Sequence, residues 1–212
     1  MVGGMTCAVT ARGGLEYYPC RYGRSRVLFR GPRRSLDESY VAFLGGTETY
    51  GRFVAAPFPA LAEQRLDRVC VNLGAVNAGP DLYLNDAGAL DVAARAELCV
   101  VQMMSAQNMS NRFYGVHPRR NDRFLRASEG LQALYPEVDF TEFHFTRHML
   151  GRLREVSAER FAQVTEELRQ AWMARMTQLL TVLRGRALLL VARGSCAARG
   201  AAGRAGARSA LR

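Results

Sequence analysis

Three short apolar runs along this chain each break into a cluster of small and polar residues. Val41-Ala42-Phe43-Leu44 leads into Gly45-Gly46-Thr47-Glu48-Thr49-Tyr50-Gly51, and Val69-Cys70-Val71 into Asn72-Leu73-Gly74-Ala75-Val76-Asn77-Ala78-Gly79. Leu98-Cys99-Val100-Val101 leads into Gln102-Met103-Met104-Ser105-Ala106-Gln107-Asn108-Met109-Ser110-Asn111. Apolar runs without polar alternation suit strands covered on both faces, and a spacing of roughly 30 residues leaves room for a crossover helix between them. The pattern predicts parallel strands whose C-terminal ends share one edge, where open α/β sheets bind ligands. Three clusters far apart in sequence are therefore expected to meet in space.

The helices are read from what lies between. Phe58 to Leu66 predicts a short helix entered through Pro57 and Pro59. Leu82 to Glu97 predicts a second, with Leu82, Leu90, Ala93 and Ala94 on one face. The strongest period runs from Ala158 to Leu183, where Phe161, Val164, Leu168, Trp172, Met176, Leu179 and Leu183 recur every three to four residues as a core stripe. Ser157 suits its N-cap and Glu159 its first turn. Gly185 ends that helix, and Ala187 to Val191 predicts a fourth parallel strand.

Residues 112–149 are aromatic and irregular, and read as a long insertion or lid at the ligand edge. The chain thus divides into an N-terminal lead-in (1–39), an α/β domain (40–192) and a tail (193–212). The tail holds only Arg, Gly, Ala, Ser, Cys and one Leu, which cannot build a core and is expected to be disordered. An Arg/Ala/Gly mixture of this kind is what a GC-rich gene yields out of frame. The C-terminus is therefore expected to be truncated or frameshifted, leaving the sheet incomplete, an edge exposed and solubility poor.

Composition narrows the function classes. Hydrophobic residues make up 49% and charged residues 23%, ordinary values for a globular protein. No apolar stretch is long enough for a membrane span and the N-terminus lacks a secretory pattern, so a cytoplasmic protein without a membrane partner is expected. The net charge of +10 comes entirely from Arg, since the chain has no Lys. Six of the 29 Arg follow Gly185, where no acid occurs, leaving 23 against 19 acids upstream. A nucleic-acid footprint needs a clustered basic face, and none is expected. Arg30-Gly31-Pro32-Arg33-Arg34 is the one upstream cluster, read as a solvated loop. The five cysteines have no metal-ligand spacing, and Cys70 and Cys99 sit where cysteine acts as a small hydrophobe.

At Gly45-Gly46-Thr47, Asn72-Leu73-Gly74 and Ser105-Ala106-Gln107-Asn108 the pattern resembles the SGNH/GDSL hydrolase superfamily, whose Gly-Asp-Ser, Asn-x-Gly and Gly-x-Asn-Asp blocks follow successive strands. Tyr40 to Trp172, including Asn108 to Phe124 and Asp139 to His148, also resembles an uncharacterised bacterial domain-of-unknown-function family. The first resemblance implies a three-layer α/β sandwich around a mainly parallel sheet, SGNH-hydrolase-like (flavodoxin-like) and incomplete at the C-terminus. It implies an ester hydrolase or acyltransferase acting on a small or carbohydrate ester. The alternative is a non-catalytic member that keeps the crevice for a ligand or partner.

Carried onto this chain, the resemblance makes Thr47 the nucleophile and Gly74 and Gln107 or Asn108 the oxyanion donors. At the expected ligand edge and in the insertion beside it, Glu48, Asn77, Asn111, His117 and Arg119 are candidate substrate contacts. Gly46 stands where the family has Asp, and the Asp-x-x-His motif that supplies the base is missing. The base would then come from His117, His144 or His148, each of which also suits ordinary loop packing. His144 and His148 are spaced to share a helix face, as paired metal ligands do, but no third ligand is evident and neither a metal nor another cofactor is expected. Arg119, beside Arg120, is a candidate contact for an anionic substrate group or a solvent-facing side chain.

Overall fold

Each apolar run forms a strand. The computed structural model describes residues 15–191. Its strands are β1 (Tyr40–Leu44), β2 (Val69–Asn72), β3 (Leu98–Gln102), β4 (Tyr114–His117), β5 (Arg120–Ala127) and β6 (Ala187–Leu190). Four of them form a parallel sheet in the order β2-β1-β3-β6, with Val41 beside Cys70 on one flank and Leu98 on the other. The helices are α1 (Thr47–Tyr50), α2 (Phe58–Leu66), α3 (Pro80–Leu84), α4 (Ala87–Arg95), α5 (Glu129–Leu134), α6 (Thr146–Val156) and α7 (Ala158–Val182).

Side chains alternate across the sheet, as a strand's period of two demands. Ala42, Leu44, Val71, Cys99 and Val101 face a large core with Leu82, Val92, Met176 and Leu179 from α3, α4 and α7. Val41, Phe43 and Cys70 face the other way, against Phe58 and Ala62 of α2. Helices on both faces of a mainly parallel sheet make this an α/β protein. Cys70 and Cys99 are buried and unbridged, as their strand positions imply; Cys7 and Cys196 lie outside the described residues. Leu15 onward belongs to the fold, with Tyr22, Val27 and Phe29 buried in the main core.

Two expectations need correction. The helix over 82–97 is two helices, because Asp86 acts as a cap. Its carboxylate accepts from Ala89 N at 2.8 Å and from Arg26 N at 2.9 Å, starting α4 afresh after α3 has ended. Residues 112–149 are not irregular. β4 and β5 pair as an antiparallel hairpin, and Tyr114, Val116, Phe124, Leu131, Tyr135 and Phe143 form a second core. A single sequence window misses this core because α6 and α7 complete it through Met149, Leu153, Val164 and Leu168.

Two sequence signals hold well. Ser157 Oγ accepts from Arg160 N at 3.2 Å and caps α7, whose apolar stripe is buried at Val164, Leu168, Met176, Leu179 and Leu183. Gly185, at φ +75°, turns the chain into β6. Leu188, Leu189 and Val191 are exposed on and just beyond that edge strand, at 50%, 48% and 67%. The expected tail disorder concerns residues outside those described. No helix among the described residues is long and apolar enough to cross a membrane.

Tyr83 ties the strand ends together. Its buried hydroxyl accepts from Gly45 N at 2.9 Å and lies 2.7 and 2.8 Å from the carbonyls of Gly45 and Leu73. Tyr83→Phe leaves the Gly45 N–H unpaired and is expected to cost about 1–3 kcal/mol in a denaturant titration, with no change of secondary structure by circular dichroism. The buried acids set a limit at high pH. Burial pushes the Cys70 thiol up to about 11, aided by Glu63, and the Cys99 thiol and Tyr22 phenol each up to about 12. The unfolded chain releases these protons from the ordinary values of 9.0 and 10.0. Stability is therefore expected to be full below pH 9 and to fall as pH rises through 9 to 12, with the unfolding midpoint as the readout.

Candidate functional site

The C-terminal ends of β1, β2 and β3 carry the three polar clusters to one edge, at the point where the strand order reverses around β1. Gln102 organises the first turn. This side chain is 2% exposed, and its Oε1 accepts from Gly46 N at 3.1 Å, Thr49 N at 3.2 Å and Thr49 Oγ1 at 2.5 Å. Its Nε2 donates to Glu48 Oε2 at 2.7 Å, holding that exposed carboxylate at the rim. Gly45 has no room for a side chain, since a Cβ would lie 2.1 Å from Thr49 Oγ1.

Thr47, the first residue of α1, is half-buried beside the β2–α3 loop. Its hydroxyl donates to Asn77 Oδ1 at 3.2 Å and accepts from Asn77 N at 3.0 Å. Asn77 adopts φ +56°, in the left-handed region that asparagine tolerates, and its Nδ2 donates to Asp122 Oδ2 at 3.0 Å. A continuous chain therefore runs from hydroxyl to amide to carboxylate. Asp122 comes from β5, so the hairpin reaches the same sheet edge. Asn121, next to it and buried, accepts from Gly79 N at 2.9 Å and fastens the hairpin to the same loop.

Two of the proposed oxyanion donors, Gly74 and Asn108, have other partners. Gly74 N donates to Asn72 Oδ1 at 2.9 Å, and a Cβ at Gly74 would sit 2.3 Å from Tyr50 N. This glycine lets α1 approach β2 and does not turn its N–H into the crevice. Asn108 is buried; its Nδ2 donates to Asn77 O at 2.9 Å and its Oδ1 accepts from Thr146 Oγ1 at 3.1 Å. Gln107 is half-buried, and its carbonyl accepts from Tyr114 OH at 2.8 Å.

The remaining candidates divide by position. Asn111 Oδ1 accepts from Phe113 N and Tyr114 N, shaping the turn into β4. His117 Nδ1 accepts from Arg119 N and Arg120 N, both at 3.2 Å, and holds the hairpin turn with Arg119 exposed at its tip. His144 and His148 are both exposed and do not share a helix face. His144 lies in the bend before α6, whereas His148 lies in its first turn with its ring 5.1 Å from that of Phe143. Thr47, Glu48, Asn77 and Asn108 are thus brought together, and the two histidines are not tied to them by any hydrogen bond. Among the described residues no three His, Cys, Asp or Glu side chains gather as metal ligands.

Sequence reasoning missed Gln102, Asn121 and Asp122 as site residues. Gln102 carried a signal, a polar residue at the last position of a buried apolar strand. Asn121 and Asp122 carried none, because their place depends on the hairpin. The Arg30 cluster is also corrected. Arg30 is 3% exposed, and its guanidinium donates to the carbonyls of Tyr50, Gly51, Val54 and Ala55 while covering the Tyr17 ring at 4.9 Å. Arg30 clamps the segment after α1, and Arg34 pairs with Glu63, while Arg33 is exposed in the loop as expected.

This is an α/β protein with a cluster of hydrogen-bonded polar side chains at the switch point of its sheet. The chain belongs to the family described as a domain of unknown function, DUF6473, whose model matches residues 5–207. That match runs into the Arg/Ala/Gly tail. No curated protein matches the chain.

Gln102→Leu removes one acceptor from three donors at once. It is expected to lower stability by about 3 kcal/mol in denaturant unfolding, with faster amide exchange confined at first to residues 45–50.

Proposed function

We propose that the polar residues at the ends of β1, β2 and β3 line a crevice that binds a small polar ligand without converting it. The observation that carries this reading is the Thr47–Asn77–Asp122 chain. Its order imitates a hydroxyl–base–carboxylate triad, but the central group is an amide. An amide oxygen accepts a hydrogen bond yet does not take up a proton at neutral pH, so it does not activate a hydroxyl as imidazole does. Thr47 Oγ1 and the carboxylates of Glu48 and Asp122 then offer hydrogen-bond acceptors to ligand hydroxyls. O-acylated sugars and other small polar esters fit that chemistry.

A second reading has a specific support. Thr47 stands at the tip of β1 in a turn resembling that of the SGNH hydrolases, and the sheet order matches the start of a flavodoxin-like sheet. An ester hydrolase or acyltransferase with Thr47 as nucleophile would need a base beyond those in contact with it here.

Hydrolysis of p-nitrophenyl acetate separates the two. The binding reading expects wild type and Thr47→Ala to release nitrophenol at the same rate. It also expects ligand-observed NMR to show methyl 6-O-acetylglucoside bound by wild type, lost in Asn77→Ala, and intact after overnight incubation. A tenfold slower rate for Thr47→Ala, or release of acetate from the sugar, would establish the hydrolase instead.

A further inference from the structure

The outer faces of β5 and α6 carry cationic and apolar side chains that the crevice does not use. Phe145, immediately before α6, is 46% exposed, and the Arg123 guanidinium lies 5.3 Å from its ring centre. Arg123 and Phe145 are also backbone neighbours through an antiparallel bridge. Leu125, two residues along β5 and so on the same face as Arg123, is 58% exposed.

Beside them the solvent side of α6 presents Arg147, His148 and Arg152 around Gly151. A Cβ at Gly151 would meet nothing within 4 Å, so the helix surface is notched there. The result is an open groove of about 460 Å³ from Phe145 to Glu155. Glu155 is its one carboxylate, 3.9 Å from Arg152. Arg123 and Arg147 form no ion pair with a carboxylate among the described residues, which leaves both free to meet an anionic group.

From this charge pattern we infer that the groove docks an acidic peptide segment of a partner protein, with an apolar side chain set between its carboxylates. Arginine recognises carboxylates through paired N–H groups, which suits Arg123 and Arg147. The apolar side chain would cover Phe145 and Leu125, and the notch at Gly151 admits it close to the helix backbone. Such a central apolar anchor supplies most of the affinity, while rim charges steer association. A nucleic-acid strand fits less well. Its phosphates would match the cations, but stacking needs an open ring, and Arg123 already lies over Phe145.

The test uses the full chain and a fluorescein-labelled twelve-residue peptide of three Glu-Leu-Glu-Glu repeats, read by fluorescence polarisation at low salt. Saturable binding is expected. Arg123→Glu with Arg147→Glu should weaken it at least tenfold, as should Gly151→Leu, which fills the notch. Gly151→Leu puts a better helix former at an exposed mid-helix position, so it keeps the test decisive if the charge reversal unsettles β5. Absence of saturable binding, equal affinity of wild type and Gly151→Leu, or tighter binding of a twelve-nucleotide oligothymidine would overturn the assignment, the last in favour of nucleic acid. Methyl 6-O-acetylglucoside binding in the crevice should be unchanged in both variants, which separates this surface from the crevice.

Discussion

Where three parallel strands stop together inside a protein, their last backbone groups lose the ladder that paired them, in a place water does not reach. Each unpaired buried donor or acceptor costs on the order of 1–3 kcal/mol, so the ends must be met by side chains. Three polar residues do this. Gln102 satisfies the turn after β1, Asn72 bonds Gly74 N and Thr49 O, and Tyr83 joins Gly45 to Leu73. The positions of Thr47 and Glu48 follow from that requirement, because both ride on a turn with little freedom left. The polar edge is the rim of a network whose first task is to close the sheet.

The insertion reaches that rim because α7 belongs to two cores. Its N-terminal half packs Val164 and Leu168 against the hairpin, and its C-terminal half packs Met176, Leu179 and Leu183 against the sheet. Two ion pairs hold the join, each with one partner well buried: Arg175 to Asp81 of α3, and Arg112 to Glu167 of α7. Asp81 also accepts from Ser110 N, fixing the loop that leads to β4. With both cores anchored on one 25-residue helix, Asn121 and Asp122 arrive at Gly79 and Asn77 in a fixed register.

Net charge is a poor guide to this molecule. Arg30 serves as an internal clamp on four carbonyls, and Arg34, Arg112 and Arg175 are bound to carboxylates of the fold. Arginine suits such positions because its planar fork reaches several acceptors at once. The more exposed pairs, such as Arg68 with Glu97, add little to stability.

The apolar runs at 41–44, 69–71 and 98–101, and the stripe over 158–183, determined by themselves the parallel sheet and its longest helix, since strand and helix periods are local properties of the chain. Ser157 and Gly185 marked ends for the same reason. The helix break at Asp86 rests on an equally local cap, which the helical pattern running from Leu82 to Glu97 masked. The hairpin at 114–127 was not legible, because a core shared with α6 and α7 acts across sequence distance. At the site, the sequence placed Thr47, Asn77 and Asn108 on one edge, and the structure keeps them there. Only the tertiary structure decided what each of them touches. It tied Asn108 to Asn77 and Thr146 and brought Asp122 from β5 to complete the chain from Thr47, because these partners are fixed by where folded segments meet and not by the residue's own neighbours.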